Sequence, residues 1–229
     1  MNKEFNITGT CLPHLHYMMD HSAKLAGVME LIQRGKYFTI NRPRQYGKTT
    51  TIAALARQLR GREDYHVLRT SFEGWGDTAF ANEAAFVSAF WEDMQQPKLN
   101  PELGEWIAQN SPPISTFREL STLISKIVRR DEAKVVLLID EVDKSSNNQV
   151  FLNFLGMLRQ KYLLQLEESG TTFQSVILGG VHDVKTLKAK LRPGEVAQYN
   201  SPWNIAADFE VEMSFRPHEI APMLVQYSE

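Results

Sequence analysis

The chain has 229 residues, a formal net charge of -2, 43% hydrophobic and 23% charged residues. These values describe an ordinary globular domain and exclude a protein that holds polyanions by bulk charge. Its single cysteine, Cys11, rules out an intramolecular disulfide and suits a reducing compartment. Nothing approaches the roughly 18 apolar residues of a membrane span, and MNKEFNITGT lacks the apolar run of a signal peptide. The expectation is a cytoplasmic protein with no membrane contact.

In chain order, the first feature is a crowd of polar groups, His14, His16, Asp20 and His21, whose spacing fits no standard zinc motif. KYFTI (36-40) predicts a strand. The TTTIAALARQLR stretch after it sets Ile52, Leu55, Ala56 and Leu59 on one helical face. A second pair follows: YHVLRTSF (65-72) as strand, then a helix over 79-94 carrying Phe80, Ala84, Val87, Trp91 and Met94. Residues 95-113, rich in proline and polar side chains, predict an excursion with a short helix. Thr116 and Glu119 then stand at capping-box spacing ahead of a helix over 116-130.

KVVLLID (134-140) is uninterrupted enough for the buried centre of a parallel sheet. A core-facing helix over 148-166 carries Phe151, Leu155, Leu158, Tyr162 and Leu166. QSVILGGV (174-181) predicts the fourth strand and DFEVEM (208-213) an edge-like fifth. From 215 onward a new helical unit begins. No internal repeat appears, and strands alternating with helices predict an α/β fold, a three-layer sandwich around a five-stranded, mostly parallel sheet.

The chemistry concentrates in INRPRQYGKTTTIAALARQL (40-59). A strand, a loop and a helix N-terminus in that order supply inward-pointing N–H groups and a partial positive charge, which together bind phosphate. Against the pattern G-x-x-x-x-G-K-[ST], Arg42 stands where the first glycine is usual. Pro43 drives Arg42 toward extended geometry, so that residue continues the strand. The glycine needed for close backbone approach, Gly47, is present. In this frame Arg44, Gln45, Tyr46, Gly47, Lys48, Thr49 and Thr50 surround the phosphates, Lys48 reaches the β- and γ-phosphates and Thr49 ligates Mg²⁺. Far downstream, VVLLIDEVD ends its strand in Asp140 and Glu141. A strand-terminal aspartate can hold Mg²⁺ and an adjacent glutamate can activate water. That pair favours hydrolysis over phosphoryl transfer to a metabolite.

These residues resemble the bacterial predicted AAA-ATPase-like family, a branch near the archaeal and STAND-type ATPases whose members are often fused to a PD-(D/E)XK nuclease-like domain. The family's R-P-R-[RQ]-[FY]-G-K-[ST] loop matches Arg42 to Thr49, its tyrosine-x-x-aspartate matches Tyr17 and Asp20, and LLIDEVDKS matches its Walker B strand. The resemblance implies a P-loop NTPase of the additional-strand, AAA-like class, with ATP and Mg²⁺ as cofactors and the 174-181 strand lying between the loop strand and the Walker B strand. It implies that the residue leaving that strand senses the γ-phosphate. His182 is preferred over Asp183, with a capping or surface role for His182 left open. It implies further that His16, Tyr17 and Met18 pack beside the adenine, that residues 1-214 form the ATPase domain, and that 215-229 begin a helical lid that the chain cuts short.

Arg159, Arg192 and Arg216 are candidate charge stabilisers, although each reads more readily as a solvated helix or loop arginine. Trp203 reads as core. The basic run Lys185, Lys188, Lys190, Arg192 suits a solvated helix face, and is also the best candidate for a nucleic-acid or protein contact. Three functions therefore compete: an Mg²⁺-dependent ATPase; a nucleotide-binding switch that signals to a protein partner or to a second copy with little hydrolysis; and a DNA-associated ATPase module, which the near-neutral charge disfavours.

Overall fold

The computed structural model describes residues 3–6, 9–41, 47–145, 148–181 and 202–228. The loop residues Arg42, Arg44, Gln45 and Tyr46, the candidate sensors His182 and Asp183, Arg192 and the basic run all lie outside the described residues.

The elements are α1 (Ser22–Gln33), β1 (Phe38–Asn41), α2 (Lys48–Arg60), β2 (Tyr65–Ser71), α3 (Glu83–Gln95), α4 (Gly104–Asn110), α5 (Phe117–Val128), β3 (Lys134–Asp140), α6 (Gln149–Leu166), β4 (Ser175–Gly180) and α7 (Pro217–Ser228). The four strands form one sheet in the order β1-β4-β3-β2, with every pairing parallel. The 174-181 segment thus lies between β1 and β3, as expected.

Side-chain alternation along the strands builds the two cores. Val135, Leu137 and Ile139 of β3, with Val176 and Leu178 of β4, face a cluster shared with α3, α4, α5 and α6. Val136, Leu138 and Ile177 face the other way, onto Val28, Met29 and Ile32 of α1 and Ile52, Leu55, Ala56 and Leu59 of α2. The first core is dominated by aromatic rings, with Phe86, Phe90 and Phe154 meeting at centroid distances of 5.1–6.3 Å. Each such ring contributes about 1.5–3 kcal/mol by leaving water.

The helix starts follow their caps. Thr116 Oγ1 accepts from Glu119 N–H at 3.2 Å and Glu119 Oε2 accepts from Thr116 N–H at 3.0 Å, so the capping box closes and α5 begins at Phe117. Asn82 Oδ1 accepts from Ala85 N–H at 3.0 Å, which starts α3 later than the apolar spacing predicts. Phe80 is reached instead through a short 3-10 turn, Asp77–Phe80. Helix α1, absent from the expected elements, sets Leu25, Val28, Met29 and Ile32 at helical spacing toward the second core. A Cβ at Gly27 would lie 3.0 Å from Val211 Cγ2, so the helix is bare where residues 209–213 pack.

Residues 208–213 do not form the expected fifth strand, so among the described residues the sheet has four strands rather than five. A single bridge joins Ala207 to Phe38, with Ala207 N–H donating to Tyr37 O at 2.8 Å. The alternation of DFEVEM is real, but it serves packing rather than pairing: Phe209 stacks on Phe38 at 5.7 Å, and Val211 and Met213 enter the second core. At the opposite edge, fully buried Asn100 accepts from Arg69 N–H at 2.6 Å and so closes part of the free side of β2.

Helix α7 begins with Pro217 in its first turn, where a missing N–H costs nothing. It is tied to α1 by an ion pair between Lys24 Nζ and Glu219 Oε1 at 2.6 Å. Trp203 is fully buried and donates to Thr39 Oγ1 at 3.1 Å. No helix among the described residues is long and apolar enough to cross a membrane.

Candidate functional site at the carboxyl ends of the strands

Parallel strands end together, and a crevice at their carboxyl ends is where open α/β sheets bind ligands. Here Asn41 of β1 pairs in register with Gly180 of β4, and Asp140 of β3 with Ser71 of β2. Period-two alternation turns Asp140 toward the same face as Val136 and Leu138, the face covered by α2. The N-terminus of α2 stands there.

Gly47 precedes α2 in the left-handed region, φ 72° and ψ 17°. A Cβ there would meet nothing within 4 Å, so the backbone angle rather than crowding selects glycine. Helix α2 has no side-chain cap and no acidic residue in its first turn. Its first N–H groups and partial positive charge are therefore not satisfied by the helix's own side chains. Lys48 follows at 7% exposure, near enough for its charge to act on both Asp140 and Glu141.

The Thr49 side chain stands close enough to the Asp140 carboxylate to favour its charged form, and Asp140 Oδ1 accepts from Glu141 N–H at 3.0 Å. Asp140 is 1% exposed. Burial raises its pKa, against the opposing effects of the Thr49 side chain, the Glu141 hydrogen bond and the Arg69 and Lys48 charges. Gly179 makes this position possible: a Cβ on it would lie 2.7 Å from Asp140 Oδ1 and 2.6 Å from Ile52 Cδ1. The hydroxyl and carboxylate together form an all-oxygen pair, which is what a hard divalent cation such as Mg²⁺ takes.

Glu141 sits at φ 56°, left-handed for a residue with a Cβ, a conformation that costs about 1–2 kcal/mol. Such strain is characteristic of functional positions. Desolvation raises its carboxyl pKa, with Asp140, Asp143 and Glu73 adding to the effect and Lys48 opposing it. Asp143 Oδ2 accepts from Val181 N–H at 2.5 Å and so holds the exit of β4 against the turn after β3.

The remaining candidates are placed as follows. Thr50 is buried, and its hydroxyl accepts from Cys11 N–H at 3.1 Å, which lays the N-terminal segment across the first turn of α2. Tyr17 packs against Phe5 and Tyr227 at 4.9 and 5.6 Å. His16 Nδ1 accepts from Leu12 N–H at 2.8 Å. His21 packs its ring edge on Phe215, and burial lowers its pKa. Among the described residues, no three of His, Cys, Asp and Glu gather as a metal would require. Arg159 donates to Asn204 Oδ1 at 3.0 Å, and the Arg216 N–H donates to Glu219 Oε2 at 2.7 Å.

Sequence reasoning missed Arg69, Asp143 and Gly179. Arg69 reaches Asp140 through strand pairing, which no local pattern announces. Asp143 and Gly179 lie inside the quoted runs VVLLIDEVD and QSVILGGV, and the paired glycines at the end of the second were the available signal.

No curated protein matches the chain. A model of the AAA-like domain matches residues 12–189, a span that runs from the segment before α1 past the end of β4 and takes in every residue of the strand-end site. The chain therefore belongs to the AAA-like domain family, which suggests a nucleotide-binding, ATPase-type module.

Proposed function

We propose that the protein is an Mg²⁺-dependent ATPase that binds ATP at the carboxyl ends of β1, β4 and β3. The observation that carries this reading is buried Asp140 at the end of β3, with Glu141 beside it, facing the start of α2, where Lys48 and Thr49 both favour its charged form in space that Gly179 leaves open. In the proposed mechanism the first-turn amides of α2, with Lys48, hold the phosphates, as uncapped helix starts do. Thr49 and Asp140 would hold Mg²⁺, which would neutralise phosphate charge. Glu141, turned by its left-handed backbone at the strand end, orients a water and accepts its proton. Asp143 holds the exit of β4 through the Val181 N–H. Arg44, Gln45 and Tyr46 line the same loop, His182 is proposed as the sensor and Tyr17 as a neighbour of the base. A cytoplasmic setting accords with the lone Cys11.

The test is calorimetric binding of ATP with Mg²⁺, followed by phosphate release. Lys48→Ala should abolish binding, and equal affinity in the two proteins would end the proposal. Tight binding with no phosphate release by the wild type would replace hydrolysis with a nucleotide-dependent switch.

A further inference from the structure

The face of the sheet opposite α2 carries a second polar cleft, between α5 and α6 and closed at one end by the 169–171 turn, with a volume of about 640 Å³. That lies within the ~300–1,000 Å³ of small-molecule sites. Its charged lining is of one sign: Arg118, Arg129 and Lys161, interspersed with the hydroxyls of Ser121, Ser125 and Thr171. Among the described residues no aspartate or glutamate lines it. Met157 and Leu164 add an apolar wall.

At the floor is Lys161, 7% exposed. Its ammonium donates to Ser121 O at 3.0 Å and to Ser125 Oγ at 2.7 Å. An ammonium has three protons to donate, so one remains for a group in the cleft. Among the described residues no carboxylate pairs with it, and the charge that acts on it, Arg129, has its own sign. A buried cation without a counter-ion is costly. Elsewhere in the chain the same problem is solved internally, by Glu219 opposite Lys24.

We propose that the α5/α6 cleft binds a small organic oxyanion, a phosphate- or carboxylate-bearing molecule whose negative group is held by Lys161 with Arg129 and Arg118. The serine and threonine hydroxyls complete its hydrogen bonding, and the Met157 and Leu164 wall takes its less polar part. The site is separate from the strand ends and stands whether or not nucleotide is hydrolysed.

Without ligand, burial and Arg129 bring the Lys161 pKa down to about 8, which makes the residue its own reporter. The experiment is NMR titration of the Lys161 side chain, ¹³C-labelled at Cε, in the presence of inorganic phosphate, citrate or chloride at matched ionic strength. A bound anion favours the charged amine. Saturating phosphate or citrate should raise the pKa by about one unit, a tenfold gain in proton affinity. The stronger of the two identifies the ligand chemistry. Exposed Arg129, replaced by Gln, should weaken the response several-fold without disturbing the fold. Repeating the titration in Lys48→Ala removes phosphate bound at α2. A Lys161 titration that is the same in phosphate, citrate and chloride, or that shifts without saturating, overturns the proposal.

Discussion

The strand-end site and the α5/α6 cleft are two solutions to the same electrostatic problem. Burial raises the carboxyl pKa of Asp140 and Glu141 and lowers the amine pKa of Lys161, because low-dielectric surroundings disfavour either charge. At the strand ends the chain supplies much of its own answer: Thr49, the Glu141 amide, Arg69 and Lys48 all favour the charged form of Asp140. In the cleft, Arg129 adds to the penalty instead. A site that contains its own opposite charges can be preformed, whereas one lined by a single sign needs a ligand to complete it.

The sharpest way to break this comparison is at Glu141. Glu141→Gln keeps shape and removes the proton acceptor, so hydrolysis should fall by about a hundredfold or more while ATP affinity is retained. Loss of both in parallel would show that the side chain binds rather than reacts. Next comes Gly179→Ala. Its added methyl would meet Ile52 and Asp140 below 3 Å, so unfolding free energy should drop by about 1–3 kcal/mol, with weaker Mg²⁺-dependent nucleotide binding. Gly74→Ala, which meets nothing within 4 Å, is the neutral control near the same edge.

For the cleft the signature is pH. The folded-state pKa of Lys161 is lowered to about 8, against the ordinary value near ~10.4 of an unfolded chain. Between those values the unfolded chain carries a proton that the folded one has released, so wild-type stability rises with pH across that window. Below it the full cost of the buried charge is present. Denaturant midpoints of wild type minus Lys161→Met should therefore increase from pH 8 to above pH 10, and a flat difference would show that the amine is not desolvated. The smallest effect is expected at Thr116→Ala. It removes the cap of α5, one wall of the cleft, and should cost about 1 kcal/mol in a denaturant melt without touching ATP binding.

Most elements were legible because their signals are local. Alternation and apolar runs marked the four strands, and Thr116-x-x-Glu119 marked the capping box that opens α5. Helix α1 was missed although Leu25, Val28, Met29 and Ile32 stand at helical spacing, while the close approach of its Gly27 to Val211, far along the chain, had no local sign. Residues 208–213 were mistaken for a strand because burial of alternate side chains looks the same whether the backbone pairs or merely packs.

The sequence alone determined the α/β alternation, the Gly47-Lys48-Thr49 helix start and the Asp140-Glu141 strand end, since each depends on neighbours a few residues apart. Tertiary structure decided what those residues meet. Parallel pairing brought Arg69 and Gly179 to Asp140, the turn after β3 brought Asp143 to Val181, and the packing of α6 on α5 set Lys161 against Ser121 and Ser125 rather than against any carboxylate among the described residues. Register and helix packing act across long stretches of chain, and so leave no short-range pattern to read.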